Sequence, residues 1–200
     1  MKKILAILAA LFVSTSVFAI EFETYVDLSY DQDANIFNTN NYVPDSGFTQ
    51  LSQGFNLDVT FYALGNLGVY ANFGYNFPYA TITNNAMQTQ GFLFDVSFGL
   101  AYKYNYSETV QITAAVGLNL GYYDFKDSVG KIINYTGVAF DLGARWVPFK
   151  YVYLNAGAKG AYNFALTYNS IYDTNAELAN CSTVDIRPYV GIGFIIYEIF

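Results

Sequence analysis

The feature that most limits the fold is an alternation of bulky apolar residues with small or polar ones, which recurs in eight separate stretches. Phe55, Leu57 and Phe61, for example, are interleaved with Asn56 and Asp58. Because successive side chains of a β-strand point to opposite faces, each stretch predicts a strand with one bulky and one small or polar face. The stretches are residues 21–30, 55–61, 69–77, 92–103, 110–122, 137–146, 152–164 and 184–200.

The connections between these stretches are alternately long and short. The short ones lie at 64–68, 104–108 and 147–150, and the longer polar ones at 31–50, 78–90, 124–133 and 167–182. Tight turns at one end and larger loops at the other are typical of an up-and-down outer-membrane barrel. The even number of strands would place both ends of the domain on the same, periplasmic side.

The bulky face is expected to point outward, into lipid. An eight-stranded barrel has an interior only just wide enough to be filled by side chains, so it could not hold this many aromatic and branched residues. Charged residues make up 12% of the sequence and apolar residues 54%, where a charged share of about 25% is usual. No apolar run beyond the N-terminal segment approaches the ~20 residues that a membrane-spanning helix needs.

These patterns predict an all-β fold, an eight-stranded antiparallel up-and-down transmembrane β-barrel with short periplasmic turns and longer outer loops. The alternative is a soluble lipocalin-like barrel or β-sandwich with the apolar face inside. That fold would have an overfilled core and a surface short of charge.

The N-terminal residues have the pattern of a cleaved secretory signal. Two lysines precede an apolar core at 4–13, and Val17 and Ala19 are the small residues three and one places before the expected cleavage point. We assign residues 1–19 to a signal peptide and residues 20–200 to one barrel domain. Removing the two lysines leaves 7 basic residues against 16 acidic ones, a net charge of −9. This charge disfavours nucleic acid as a partner.

The last predicted strand closes on a phenylalanine. Phe194, Ile196 and Phe200 share its outward face, and the ending resembles the C-terminal recognition signal of bacterial outer-membrane proteins. Glu198 departs from that pattern, which usually has a hydrophobic residue there. The resemblance implies that Phe194, Ile196 and Phe200 form an assembly signal for the barrel-assembly machinery, reached with the help of periplasmic chaperones.

As a whole, residues 20–200 resemble the small eight-stranded outer-membrane proteins of the OmpA-barrel, OmpX and OmpW type. The likeness rests on the architecture, the signal peptide and the terminus, and on no internal motif. It implies a location in the outer membrane of a diderm bacterium, with membrane lipid as a partner.

The charged residues on the inward face are the candidate functional residues. Unpaired charges inside a narrow barrel would be costly, so we expect a network of ion pairs and hydrogen bonds that plugs the lumen. The alternative is a channel lined by the same charges. The inward charges are Asp27, Asp58, Asp95, Lys103, Asp141, Arg145, Lys159, Asp185 and Arg187. Tyrosines on the same face add bulk, namely Tyr25, Tyr62, Tyr70, Tyr153 and Tyr189.

Two functions are consistent with this barrel. One is a structural, surface-exposed protein with a plugged lumen, whose outer loops contact the environment or a host molecule. The other is a passive conduit for small molecules, hydrophobic ones included, across the outer membrane. Aromatic residues at the strand ends are expected to anchor the barrel at the membrane interfaces rather than to contact a ligand or sugar. They are Tyr102, Trp146 and Phe200 at the periplasmic ends and Tyr30, Phe77, Tyr122 and Phe164 at the outer ends.

Catalysis is not expected. Outer-membrane barrel enzymes such as the phospholipase and the palmitoyltransferase rely on a histidine as the base, and this sequence has no histidine. We therefore predict no enzymatic activity and no cofactor. The sole cysteine, Cys181, is expected to be a lone thiol in a loop.

One acidic motif resembles the start of a calcium loop. Asp31, Asp33 and Asn35 are oxygen-bearing residues two apart. The full pattern requires a glycine and a glutamate further on, where this chain has Ile36 and Tyr42. We therefore predict an acidic, solvated loop at this place, and no metal site.

Overall fold

The structure is a computed structural model that describes residues 21–38, 48–82, 91–124, 132–169, 176–177 and 181–199. The predicted signal peptide and Phe200 lie outside these residues. The strands are β1 (Glu21–Asn38), β2 (Phe48–Leu64), β3 (Leu67–Ile82), β4 (Phe92–Asn105), β5 (Val110–Asp124), β6 (Ile132–Phe149), β7 (Val152–Asn169), β8 (Ala176–Glu177) and β9 (Ser182–Ile199).

The strands form a closed antiparallel barrel. Each long strand pairs with its neighbour in sequence, and β9 pairs with both β7 and β1. The two-residue strand β8 only extends the end of β7. The barrel therefore consists of β1 to β7 and β9, which confirms the predicted eight-stranded up-and-down fold.

The pairing register fixes how strongly the strands tilt. Following cross-strand partners once around the barrel from Asp27 leads back to β1 at Phe37, ten residues further along. A stagger of this kind sets the tilt and the width of a barrel with a given number of strands. Side chains that are distant in sequence are thereby brought to one height inside the barrel.

The barrel has a turn end and a loop end. At the turn end, β2 and β3 are joined at residues 65–66, β4 and β5 at 106–109, and β6 and β7 at 150–151. Gly65 in the first of these turns has a φ of 63°, a conformation that glycine adopts without steric cost. The loop end has the longer connections, as the alternation of short and long segments predicts.

The bulky face of every barrel strand points outward. Leu100 and Leu142 are 65% and 62% exposed, and most of the large apolar residues predicted to face lipid are also exposed. The inward face has small and polar residues together with buried tyrosines. The soluble alternative with an apolar interior is therefore wrong. No helix among the described residues is long and apolar enough to span a membrane.

The strands reach further toward the loop end than the sequence patterns predicted. β1 continues to Asn38 and β2 begins at Phe48, although residues 31–50 were expected to form a loop. The prediction failed because the bulky alternation fades here, while a polar inward alternation continues through Asp31, Asp33 and Asn35. These three residues are buried inside the barrel, so the predicted solvated loop at this motif is wrong.

A bulge in β7 changes which residues point inward near the loop end. Gly137 pairs with Asn163 but the preceding Thr136 pairs with Ala165, so β7 contains one extra residue at this place. A β-bulge inverts the alternation beyond it. As a result, Leu166 is buried inside the barrel, at 3% exposure, while Phe164 remains outside.

Candidate functional site in the barrel interior

The interior near the turn end is a cluster of tyrosines around two cations. The Arg145 guanidinium lies 4.4 Å from the ring centre of Tyr25 and 5.3 Å from that of Tyr153. The Lys103 ammonium lies 4.7 Å from the ring centre of Tyr62. All five side chains are buried. A cation over an aromatic face is attracted by the negative face of the ring, more strongly where water is excluded.

Two carboxylates, Glu23 and Asp27, lie at the edges of this tyrosine–cation cluster. Lys103 forms an ion pair with Glu23, whereas Arg145 donates hydrogen bonds to Thr60 Oγ1 at 3.3 Å and Tyr62 Oη at 3.4 Å. Asp27 accepts hydrogen bonds from Tyr153 Oη at 2.7 Å and Asn155 Nδ2 at 2.8 Å. The charges at this end are thus held largely by neutral groups.

An ion pair crosses the middle of the barrel. Lys159 Nζ on β7 lies 2.6 Å from Asp58 Oδ2 on β2, and Asn72 Nδ2 donates to the other Asp58 oxygen at 2.9 Å. Lys159 also lies 5.0 Å from the ring centre of Tyr189, whose hydroxyl donates to Asp141 Oδ1 at 3.0 Å. These contacts join opposite walls of the barrel.

Nearer the loop end, one guanidinium is shared by three carboxylates. Arg187 forms an ion pair with Asp95, and its Nη2 and Nε lie 3.2 Å from Asp185 Oδ2 and 3.4 Å from Asp33 Oδ2. All four residues are at most 3% exposed. A buried charge of this kind is stable only when it is paired, so these residues depend on one another.

Side-chain amides satisfy much of the remaining polarity around this carboxylate cluster. Asn163 Nδ2 donates to Thr183 Oγ1 at 2.7 Å and to Asp185 Oδ2 at 3.2 Å, and Asn119 donates to Asn163 at 2.9 Å. Asparagine supplies both donors and an acceptor, which allows it to link neighbouring strands. The interior is therefore joined across several strands by hydrogen bonds.

An apolar layer closes the interior at the loop end. We call it the loop-end cap. Every member is at most 3% exposed, and the ring centres of Phe37 and Tyr123 lie 5.8 Å apart. The cap consists of Phe37, Leu93, Tyr123, Ile133, Tyr135, Leu166 and Cys181. Cys181 lies in the connection just before β9, as expected for a loop thiol, and its side chain is buried in the cap.

The space left inside the barrel is small and divided. Two cavities of about 20 Å³ each lie along the interior, and Tyr70 and Asp141 border both. Such a volume is enough for one or two water molecules. The first cavity lies toward the tyrosine–cation cluster and the second toward the carboxylate cluster, next to Arg187 and Asp95.

The structure places each sequence-predicted charge on the inward side. It brings Asp58 together with Lys159, and Asp95 and Asp185 together with Arg187. Two other predicted charges are held differently. Arg145 lies over tyrosine rings, and Asp141 accepts a hydrogen bond from Tyr189.

Sequence reasoning missed the polar and apolar groups near the loop end. Asp31, Asp33 and Asn35 continue the inward alternation that begins at Asp27, and this signal was in the sequence. Asp33 pairs with Arg187 and accepts a hydrogen bond from Asn35 at 2.6 Å. The described residues contain no group of three His, Cys, Asp or Glu side chains arranged to hold a metal ion.

The predicted assembly signal is only partly covered by the structure. Phe194 and Ile196 point outward from β9, with 57% and 48% of their surface exposed. Phe200 lies outside the described residues. The role of the three residues stays a prediction.

Several solved structures are similar to this barrel. The outer membrane protein OprG from Pseudomonas aeruginosa is 11% identical, over 89% of this chain and 96% of its own, with a TM-score of 0.57. The outer membrane protein AlkL is 12% identical, over 90% and 92%, with a TM-score of 0.56. The attachment invasion locus protein Ail of Yersinia pestis, in complex with the heparin analogue sucrose octasulfate, is 16% identical, over 88% and 100%, with a TM-score of 0.53.

Sequence comparison alone identifies no relative. No family model matches the chain, and no curated protein matches it. At identities this low, structural likeness establishes the fold and leaves the activity open. The chain has the fold of the small eight-stranded outer-membrane β-barrel proteins.

Proposed function

We propose that residues 20–200 form an integral protein of the bacterial outer membrane, with the turn end in the periplasm and the loop end outside. The support is the outward apolar face, because a closed barrel with this exterior satisfies all of its backbone hydrogen bonds inside a bilayer. Trp146 and Tyr102 are exposed near the turn end and Phe77 near the loop end, as expected for interfacial aromatic residues.

The proposed role is that of a surface-exposed barrel with a plugged lumen. The observation that supports it is the filled interior. Along the axis lie the tyrosine–cation cluster, the Asp58–Lys159 ion pair, the carboxylate cluster around Arg187 and the loop-end cap. Two cavities that lie along the described interior are of water size. The proposal includes no catalytic role.

The proposed partners follow from this location. Membrane lipid would surround the barrel, and the barrel-assembly machinery, together with periplasmic chaperones, would act during its biogenesis. The outward Phe194 and Ile196 of β9 support recognition of this strand. An environmental or host ligand would bind at the outer loops. The net charge of −9 after signal removal argues against a polyanion such as the heparin analogue bound by Ail.

The location is tested by cell fractionation combined with gel migration. We expect the protein in the outer-membrane fraction, and we expect its migration in SDS to shift after boiling, because the folded barrel resists the detergent. Recovery as a soluble periplasmic monomer would contradict the proposal.

The plugged lumen is tested in planar bilayers. We expect no steady ion conductance from purified, folded protein, because buried side chains occupy the described interior at the Asp58–Lys159 pair and at the loop-end cap. Folding is checked by the heat-dependent gel shift before each recording. Stable, reproducible conductance steps would favour the passive conduit instead.

A further inference from the structure

A polar cluster lies on the outward face of the barrel, toward the loop end. Gln32 Nε2 donates a hydrogen bond to Tyr30 Oη, and Tyr30 Oη donates to Gln53 Oε1 at 3.0 Å. Tyr79 Oη donates to Gln32 Oε1 at 3.1 Å. All four side chains are exposed. We call these residues of β1, β2 and β3 the outer polar cluster.

The backbone contributes to this cluster. Leu51 pairs with Ala80 and Ser52 with Pro78, so Tyr79 is an extra residue in β3. A bulge redirects the side chain of the extra residue, and here it brings the Tyr79 hydroxyl to Gln32 on a strand that is not adjacent. Tyr30 was expected to anchor the barrel at the interface rather than to contact a sugar, and the hydrogen bonds around its hydroxyl are the reason to revise that expectation.

The position of the cluster is unusual for a lipid-facing surface. Gln32 lies opposite Gln53, and Gln53 lies opposite the exposed Phe77. Tyr30 lies between Phe55 and Val190, both of which are exposed. Amide and hydroxyl groups are costly in hydrocarbon unless their hydrogen bonds are satisfied. The four side chains lower this cost by hydrogen-bonding to one another, and their exposure leaves them able to contact a polar group at the boundary of the apolar band.

An apolar groove of about 500 Å³ adjoins the cluster on the side of the turn end. Tyr30 belongs to both features, and its ring packs edge-on against that of Phe55 at 5.8 Å. The groove crosses β7, β9, β1 and β2, and its volume is within the range of small-molecule sites. Its apolar walls are Leu28, Tyr30, Phe55, Leu154, Val190 and Ile192.

We propose that this surface binds one glycolipid, whose acyl chain lies in the groove and whose saccharide headgroup contacts the outer polar cluster. The proposal rests on the proposed outer-membrane location. The outer polar cluster lies at the loop end of the groove, whose lining is mainly apolar, and this arrangement matches the polarity of a lipid in the outer leaflet. Glutamine and tyrosine both donate and accept hydrogen bonds, as sugar hydroxyls do, and the cluster has no cation to hold a phosphate.

The test compares two diacyl lipids that differ in the headgroup. Native mass spectrometry of the full barrel in detergent would measure retention of galactosyl diacylglycerol and of phosphatidylglycerol at equal concentration. We expect one galactolipid to be retained in preference. The double variant Gln32→Leu/Gln53→Leu should lower that retention about tenfold, because it removes hydrogen bonds to the headgroup, and leave phosphatidylglycerol unchanged.

Two further variants make the test specific. Tyr162→Phe, which removes an exposed hydroxyl elsewhere on the outward face, should leave retention unchanged. Ile192→Trp fills the groove without altering the cluster and should reduce galactolipid retention. Folding of each variant is checked by the heat-dependent gel shift.

Equal retention of both lipids, or unchanged galactolipid retention in the double leucine variant, would overturn the glycolipid site. A lipid-free dimer that is lost in Ile192→Trp would show that a second copy covers the groove. Recovery of wild-type protein in the soluble fraction would instead overturn the proposed location, so the two failures are distinguishable.

Discussion

The two ends of the barrel interior hold their charges in different ways. Near the turn end, Lys103 and Arg145 lie over tyrosine rings. These two cations are accompanied by two carboxylates, Glu23 and Asp27. Toward the loop end, four buried carboxylates accompany a single guanidinium, that of Arg187. These carboxylates are Asp31, Asp33, Asp95 and Asp185.

This difference indicates where the fold is most sensitive. Arg145 donates its hydrogen bonds to Thr60 and Tyr62, so its removal breaks no direct ion pair within the described part of the chain. The removal of a cation shared by carboxylates does break ion pairs, and it leaves several uncompensated charges in a dry interior. The loop end should therefore depend on one residue, and the turn end should depend on many weak contacts.

The largest effect is expected for Arg187→Met. The substitution leaves Asp33, Asp95 and Asp185 without their shared cation, and it should lower the free energy of unfolding by at least about 3–5 kcal/mol. Urea unfolding in vesicles, followed by the fluorescence of Trp146, the only tryptophan, measures this change.

Arg187→Lys serves as the matched variant, since it keeps a positive charge but cannot contact three carboxylates in the same geometry. Its loss of stability should lie between those of wild type and Arg187→Met. If Arg187→Met unfolds at the wild-type urea concentration, the carboxylate cluster does not depend on this cation.

A smaller effect is expected for Lys159→Met in the middle of the barrel. This change strands one carboxylate, Asp58, which keeps its hydrogen bond from Asn72. We expect a loss of about 3 kcal/mol, at the lower end of the range for broken buried pairs. Lys150→Met, at an exposed turn position, is the control and should change stability by less than about 1 kcal/mol. Equal stability of both variants would show that the mid-barrel pair contributes nothing.

The loop-end cap is predicted to depend on packing alone. Leu93→Ala removes a fully buried side chain and should cost about 2–3 kcal/mol, since a cavity remains. Leu100→Ala, on the outward face of the same strand, is the control and should cost much less. Equal losses for the two variants would show that packing in the cap contributes nothing.

The fold was largely predictable because one face of each strand obeys a single rule. Leu28, Phe98 and Val138 all point outward as the alternation predicts, since lipid imposes the same requirement on every strand. The interior has no such uniform requirement. Its layers differ in chemistry, so the contacts of an inward residue such as Leu93 or Asp33 cannot be predicted from the residue type alone.

The register determines which inward residues meet and which residues change face. Asp58 and Lys159 meet because the strands are staggered by ten residues around the barrel, and neither residue is a cross-strand partner of the other. Leu166 turned inward because one residue was inserted in β7. Both depend on pairing that the pattern of a single strand does not contain.

The smallest effect is expected at Tyr25. Substitutions there test whether neutral groups hold the charges at the turn end. Tyr25→Phe keeps the ring under Arg145 but removes the hydroxyl that donates to Glu23 at 2.9 Å and accepts from Gln111 at 3.1 Å. We expect a loss of about 0.5–1.5 kcal/mol. Tyr25→Leu also removes the ring and should cost more.

In a double-mutant cycle, Tyr25→Leu with Arg145→Met should give a coupling energy of about 0.5–2 kcal/mol, whereas Tyr25→Phe with Arg145→Met should give almost none. A coupling that is the same in both cycles would mean that Arg145 interacts with the hydroxyl network, and that the two ends differ less than their geometry indicates.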